Sequence, residues 1–206
     1  DAFDGCSSLE NVYYKGTQEQ WANIQVSSEN YRITIATVHY IFEPEIDITE
    51  FDYDVNSDGE TCTVTGIGSV TETEITIPSA IDGYKVTAIG EKAFAEQTGL
   101  TAIIIPETVT SIGKRAFYGC TGLTSISIPN TITVIESNCF YGCSSLTSFI
   151  IPENVTEIKT NAFSGCSGLT SLTCKAITPP QLSGRTSPFT RVDTSIPLYV
   201  PSSSVA

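Results

Sequence analysis

Cysteine is the residue type whose placement is regular enough to suggest chemistry. Cys120, Cys143 and Cys166 follow one another at intervals of 23 residues, and Cys6 occupies an equivalent place near the start of the chain. Thiols in register could bind a metal or form disulfides, but stacked strands rarely give the dihedral angle that a disulfide requires. A zinc ribbon is not indicated, because no CxxC pair occurs and His39 is the single histidine. The spacing therefore predicts a ladder of small buried thiols, packed where a larger side chain would clash.

A short acidic segment has the pattern that begins a calcium-binding loop. It reads D-x-N-x-D-G from Asp54 to Gly59, but Thr65 stands at the twelfth position, where a bidentate Glu is needed. The residues at 60–65 alternate like a strand instead of continuing as a helix. The segment is therefore predicted to be the turn of a β-hairpin spanning Phe51–Gly66. No metal or cofactor site is predicted.

Catalytic chemistry finds little support among the other polar residues. A histidine-based relay would depend on His39 alone, and no nucleophile motif or phosphate loop occurs. Carboxylates such as Glu107, Glu136, Glu153 and Glu157 are scattered over predicted turns, and no spacing singles out a pair that could act on a glycan. The sequence therefore predicts a protein that is not an enzyme, with no catalytic residues and a solvated acidic surface.

The charge balance restricts the partners. The 206 residues include 10 Lys and Arg against 23 Asp and Glu, which gives a net charge of −13. Nucleic acid is excluded as a partner, because phosphate neutralisation needs clustered Lys and Arg. No apolar run of about 20 residues occurs, so the chain is not expected to be embedded in a membrane. The length is sufficient for one or two folded domains.

Apolar residues recur through the second half of the chain with a period of 23 residues. Phenylalanine forms one column, and leucine and isoleucine form two others with the same step. So many aligned apolar columns predict a solenoid in which each coil buries its apolar side chains against its neighbours. The columns are Phe94, Phe117, Phe140 and Phe163; Leu100, Leu123, Leu146 and Leu169; and Ile89, Ile112, Ile135 and Ile158.

One unit shows how a coil is built. Leu123, Ile126 and Ile128 have the spacing of a short strand with inward side chains. Pro129 ends the strand because it cannot donate a hydrogen bond to a neighbouring strand. The segment Ser137–Phe140 is predicted to form a short turn or helical step that places Phe140 in the core.

The repeated unit IP-x-x-V-T-x-I-x-x-x-A-F-x-G-C-x-x-L-T-S-I resembles the BspA-like leucine-rich repeats of bacterial surface proteins. The resemblance covers residues 70–174 and, over a shorter stretch, the N-terminal segment AFDGCSSLENVYYKGTQEQWANI. It implies a right-handed leucine-rich repeat solenoid that is mostly β with short helical turns. It also implies extracellular or cell-surface display and binding of a host matrix or cell-surface protein, or of a glycan. Any targeting signal is expected to lie outside this chain.

The repeats and their flanks suggest an organisation along the chain. A helix of the first cap is expected between Thr17 and Trp21, where the capping-box pattern occurs. The predicted segments are the tail and cap of a preceding repeat block (1–43), a linker (44–50), a β-hairpin N-terminal cap (51–70), leucine-rich repeats of about 23 residues (71–175) and a C-terminal closing segment (176–206).

The outward face of the predicted strands is the candidate binding surface. It is rich in hydroxyl groups and uncharged, with Ile104 and Ile150 as apolar contacts. Solenoids use such continuous faces to bind large ligands. Thr and Ser also suit exposed strands for structural reasons alone, so the face and no single hot spot is predicted. The candidate residues are Thr101, Ile104, Thr124, Ser125, Ser127, Thr147, Ser148, Ile150, Thr170, Ser171 and Thr173.

Three tyrosines offer a second patch. Tyr84, Tyr118 and Tyr141 are expected near the ends of the coils, where they could contact a ligand or pack half-buried. The function that follows from these patterns is adhesion through protein binding. A structural spacer that displays another domain is the alternative, and a carbohydrate-binding or carbohydrate-active module is a weaker one.

Overall fold

The computed structural model describes residues 11–14, 37–40, 51–193 and 195–201. The chain divides into two units, residues 1–47 and 48–206. In the first unit, strand β1 (Asn11–Tyr14) pairs in parallel with β2 (Thr37–Tyr40), which contains His39. The expected helix between Thr17 and Trp21, Cys6 and the expected linker at 44–50 lie outside the described residues.

The second unit is built from short strands, and no helix occurs in its described part. No helix of the described residues is long and apolar enough to cross a membrane. The strands are β3 (Asp52–Val55), β4 (Thr61–Gly66), β5 (Glu74–Thr76), β6 (Ala80–Ile81), β7 (Tyr84–Ile89), β8 (Ala102–Ile104), β9 (Ser111–Ile112), β10 (Ser125–Ser127), β11 (Val134–Ile135), β12 (Ser148–Ile151), β13 (Glu157–Ile158), β14 (Ser171–Cys174), β15 (Gln181–Leu182) and β16 (Leu198–Tyr199).

Two stacks of parallel strands form two sides of a solenoid. On the first side β5, β8 and β10 pair in order, and β12, β14 and β16 continue the stack. The Thr147 amide donates to the Thr124 carbonyl at 3.4 Å and so joins the two groups. On the second side β7 pairs with β9, and β11, β13 and β15 pair in order. The pairing of Ile126 with Ile103 joins residues 23 positions apart, so the predicted repeat is confirmed as one coil of a solenoid.

The third side of each coil is a run of turns that also bonds to the next coil. The amides of Phe94, Phe117 and Phe140 donate to carbonyls one coil further on, at 2.8, 2.9 and 2.8 Å. Asn138, two residues before Phe140, has a φ of 56°, in the left-handed region. This segment was expected to be a turn or helical step, and it is a turn. A left-handed residue in each coil breaks the helical conformation and turns the amides toward the neighbouring coil.

The phenylalanine column forms the centre of the core. Phe94, Phe117, Phe140 and Phe163 are fully buried. Successive rings are stacked with centroids 5.4, 5.4 and 5.3 Å apart, because each coil places its ring directly over the previous one. Of the strand residues predicted to point inward, Leu123 is fully buried, and Ile126 and Ile128 are half-buried against the core.

The predicted hairpin is confirmed at the N-terminal end of the second unit. Strand β3 pairs with β4 in antiparallel fashion, and β4 joins the solenoid by parallel pairing with β7. The Tyr53 hydroxyl donates to the Asp82 carboxylate at 2.6 Å, and this bond raises the pKa of Tyr53 to about 12. Asp82 and Gly83 form the two-residue turn between β6 and β7, so this turn fastens the hairpin to the first coil.

The solenoid continues beyond the regular repeats. Strand β15 pairs with β13, and β16 pairs with β14. The Phe189 ring stacks on Phe163 with centroids 5.3 Å apart and an angle of 2° between the planes. Residues 176–193 and 195–201 therefore add a further coil. The sequence hides it because Phe189 follows Phe163 by 26 residues, not by the regular 23.

Candidate binding surfaces

The candidate residues of the strand face lie side by side on the first stack of strands. Ser125 and Ser127 on β10 align with Ala102 and Ile104 on β8, and Ser148 on β12 aligns with Ser171 on β14. Their side chains point away from the core, because they alternate with half-buried Ile126 on β10 and with buried Phe149 and Ile151 on β12. The outward positions of β8, β10, β12 and β14 carry no charged residue. The result is a continuous uncharged strip on a protein with a net charge of −13.

Two isoleucines make the strip partly apolar. Ile104 is 55% exposed and Ile150 is 51% exposed. Ile104 aligns with Ser127, and Ile150 aligns with Thr173 on β14. Exposed β-branched side chains flanked by small hydroxyl side chains form a flat surface that a protein partner can cover without burying charge.

The threonine column at the edge of the strip has a structural role that the sequence did not reveal. The hydroxyl groups of Thr101, Thr124 and Thr170 donate to the carbonyls of Thr73, Thr101 and Thr147, at 3.0, 2.9 and 2.9 Å. The amide of each donates to the same carbonyl. These threonines therefore join consecutive coils, and their hydroxyl hydrogens are not free to contact a ligand.

Two of the three candidate tyrosines come together. Tyr118 and Tyr141 are stacked with centroids 5.0 Å apart and planes 8° apart. Tyr84 does not belong to this patch: it contacts Tyr53 of the hairpin at a centroid distance of 6.3 Å. The reason is its position, because Tyr84 lies on β7, whereas Tyr118 and Tyr141 lie on the turn side of their coils.

A cleft next to Tyr118 was missed by reasoning from the sequence. Its volume is about 400 Å³, and it opens on the turn side of the solenoid. Several residues of the cleft differ from those at the equivalent positions of later coils, so the features common to all repeats do not indicate it. The lining residues are Lys92, Ala95, Glu96, Arg115 and Tyr118.

The cysteine column is buried, as predicted. The thiols of Cys120, Cys143 and Cys166 donate to the carbonyls of Phe94, Phe117 and Phe140, at 3.0, 3.2 and 3.1 Å. Burial raises the pKa of Cys120 and of Cys166 to about 12, since the interior disfavours the thiolate. Every described cysteine is free and buried. The column thus joins coils by weak hydrogen bonds, and its thiols are held in the unreactive form.

The side chains of the calcium-like segment are engaged within the hairpin turn. The Asp58 carboxylate accepts hydrogen bonds from the amides of Glu60 and Thr61, both at 2.9 Å, and from the Thr61 hydroxyl at 2.7 Å. These bonds, that of the hydroxyl first, lower the pKa of Asp58. Asn56 bonds with the hydroxyl groups of Thr61 and Thr63. The described residues contain no group of three or more metal-binding side chains.

The candidate carboxylates are dispersed, and two have structural partners. Glu136 forms an ion pair with Lys159 at 2.6 Å, and this contact raises the pKa of Lys159. Glu157 accepts a hydrogen bond from the Ser183 hydroxyl at 2.5 Å. Both contacts join residues of successive coils. Glu107 and Glu153 are exposed.

Parallel stacking of short strands, one buried ring in each coil and a thiol ladder together define a leucine-rich repeat solenoid. Residues 69–179 match the BspA type leucine rich repeat region in six copies, and the chain belongs to this family. None of the curated proteins matches the chain.

Solved structures agree with the fold. A leucine rich cell surface protein from Faecalibacterium prausnitzii is 28% identical, with a TM-score of 0.63, over 86% of this chain and 45% of that one. The leucine rich repeat protein TpLRR of T. pallidum is 26% identical, with a TM-score of 0.58, over 74% of this chain and 62% of that one. The pneumococcal vaccine antigen PcpA, at 21% identity and a TM-score of 0.52, shows the fold alone. The chain spans less than two thirds of the length of each of these proteins.

Proposed function

We propose that this chain is a non-enzymatic adhesion module, displayed at a bacterial surface or secreted, that binds a host matrix or cell-surface protein through its strand face. The single observation that carries the proposal is the uncharged strip on β8, β10, β12 and β14. Interface cores are depleted of charged residues, so an uncharged strip on a strongly acidic protein is the surface most suited to protein contact. The surface location of the Faecalibacterium relative, a cell surface protein, supports the proposed display.

The test is a binding assay with three lysines placed on the strip. The full chain and the variant Ser125→Lys, Ser127→Lys, Ser148→Lys are measured against a panel of immobilised extracellular-matrix and cell-surface proteins. We expect at least one panel protein to bind the unchanged chain and to bind the variant about tenfold more weakly, because burying unpaired ammonium groups is costly.

The matched control places three lysines on the second side of the solenoid, at Ser111, Thr133 and Gln181, all of which are exposed. The control adds the same charge and should bind as the unchanged chain does. Equal losses in both variants would mean that net charge, not the strip, governs binding. Absence of binding to the whole panel would favour the spacer, and turnover of a glycan would overturn the non-enzymatic assignment.

A further inference from the structure

The cleft on the turn side has one aromatic wall. Tyr118 and Tyr141 occupy the same position in successive coils and are stacked. Ala95 holds this position one coil earlier, 23 residues before Tyr118. The face of Tyr118 that points away from Tyr141 therefore borders the cleft, over the small side chain of Ala95. The stack of two tyrosines therefore ends in a gap above Ala95, and Ser164 ends it on the other side.

Two cations stand beside this gap. Lys92 and Arg115 are equivalent residues of consecutive coils, and Asn138 and Asn161 hold the position in the next two. All four are left-handed, with φ between 55° and 60°. Asparagine tolerates this conformation, whereas Lys and Arg gain nothing from it. Within the described part of the chain the ammonium of Lys92 and the guanidinium of Arg115 have no ion-pair partner, although they lie on adjacent coils of an acidic protein.

Glu96 is the third charged group of the cleft and is strained. Its φ is 62°, and Gly119, Gly142 and Gly165 stand at the equivalent positions of the following coils. A glutamate in the left-handed region costs stability that glycine would not. Two cations, the open end of the tyrosine stack and a strained carboxylate thus meet at one cleft of about 400 Å³, within the usual size range of ligand sites.

We propose that this cleft binds a pyranose that carries a carboxylate, such as a hexuronate or a sialic acid of a glycan. The apolar face of the sugar ring stacks on Tyr118 in the gap over Ala95 and extends the tyrosine stack. The carboxylate pairs with the Arg115 guanidinium, whose planar fork matches it, and with Lys92. Glu96 accepts hydrogen bonds from ring hydroxyls. The site lies on the turn side and is independent of the strand face.

An aromatic or aliphatic side chain of a partner protein fits the cleft less well. It would cover Tyr118 but would offer no partner to the exposed charges of Lys92, Arg115 and Glu96. A pyranose offers an apolar face and a rim of polar groups on the same small ring. The acidic sugar is favoured over a neutral one because two unpaired cations outnumber the single carboxylate.

The test measures binding of three soluble probes by saturation-transfer difference NMR and calorimetric titration of the full chain. The probes are a hyaluronan tetrasaccharide, 3′-sialyllactose and the neutral chitotetraose. We expect one or both acidic probes to bind and chitotetraose to bind at least about tenfold more weakly, the value of one charge-assisted hydrogen-bond pair. The acidic probe that binds more tightly shows whether the site prefers a hexuronate or a sialic acid.

Two variants introduce residue types that already stand at the equivalent positions of neighbouring coils, so both should fold. Ala95→Tyr extends the tyrosine stack by one ring and fills the gap, and it should abolish binding. The double variant Lys92→Asn, Arg115→Asn keeps residues suited to the left-handed backbone and should weaken binding of the acidic probe at least about tenfold. The control variant Lys114→Ser removes one charge that lies near the cleft but does not line it. Serine already stands at the equivalent position of the next coil, at Ser137. This variant should bind the acidic probe within about twofold of the unchanged chain.

Glu96→Gly separates a ligand role from a purely structural one. Removal of the left-handed glutamate should raise the midpoint of thermal unfolding by about 2–4 °C while it weakens binding of the acidic probe. The proposal is overturned if none of the probes binds, if chitotetraose binds as well as the acidic probes, or if Ala95→Tyr leaves binding intact. It is also overturned if N-acetylphenylalanine amide competes as strongly as the acidic sugar, since the cleft would then accept peptide side chains.

Discussion

Single residues join the coils of this protein through hydrogen bonds that the repeat presents at regular intervals. The Cys120 thiol and the Thr124 hydroxyl each donate to a carbonyl of the preceding coil, at 3.0 and 2.9 Å. Each bond stabilises the fold by about 0.5–1.5 kcal/mol or less, but the pattern recurs in successive coils. The recurrence of one residue type in a column of this chain is therefore explained by contacts between coils and is not evidence of a ligand site.

The buried thiols should be chemically inert in the folded protein. The pKa of Cys120 and Cys166 is about 12, because burial disfavours the thiolate. We expect iodoacetamide at pH 8 to leave both residues unmodified in the folded protein and to alkylate both in denaturant, as measured by peptide mass spectrometry. Alkylation of Cys120 at the same rate with and without denaturant would contradict the buried ladder.

Burial of Cys139 should make stability fall at high pH. Burial raises the pKa of this thiol above its ordinary value of 9.0, so the folded state holds the proton more tightly than the unfolded state. Its contribution is complete below about pH 9 and is lost as the pH rises above that value. The free energy of unfolding, measured by urea denaturation, should fall less between about pH 9 and pH 11 in Cys139→Ala than in the unchanged chain. Alanine holds this position at Ala116 and Ala162, so the cost at pH 7 should stay near 1 kcal/mol.

At the scale of structural elements, the aromatic stack explains how short strands form a stable body. Strands β8 to β16 have two to four residues and carry few hydrogen bonds each. Each coil adds a buried ring that contacts the ring before it and the ring after it. Stability should therefore depend on the position of a ring within the stack.

Phe117 and Phe189 test this dependence as a matched pair. Phe117 is fully buried and stacks on Phe94 and Phe140, whereas Phe189 is half-buried and stacks on Phe163. We expect Phe117→Ala to lower the free energy of unfolding by about 3–5 kcal/mol and Phe189→Ala by roughly half as much. Chemical denaturation of the two variants gives the comparison. Equal losses would show that the stack does not act as an array of neighbouring contacts.

The whole molecule consists of two units, and the second has a core of its own. Its buried apolar residues extend from Phe51 to Val192. We expect a chain cut to residues 48–206 to keep its β-sheet circular dichroism signal and to unfold cooperatively within about 5 °C of the corresponding transition in the full chain. Loss of the cooperative transition would show that the solenoid needs residues 1–47.

Reasoning from the sequence predicted the solenoid well because its physical cause is written in the sequence. A coil that cannot bury its own apolar face must repeat that face at a constant interval, and the columns of Phe, Leu and Ile record the interval. The hairpin was predicted for a related reason, since Asn56–Gly59 carries turn residues between two alternating segments. The extra coil around Phe189 was missed, because Phe189 follows Phe163 by 26 residues and so does not fit the 23-residue period. The additional residues lengthen a loop, which costs the fold little.

The sequence by itself determined the period, the residues of the core and the uncharged character of the outward strand positions. Only the tertiary structure decided which equivalent residues become neighbours across coils. Stacking places Ala95 against Tyr118 and Lys92 beside Arg115, and it removes Tyr84 from the tyrosine patch. The physical reason is that a periodic core follows from apolar burial, which is local to each coil. A cleft arises instead where single residues depart from the period, and its composition depends on which departures the stacking brings together.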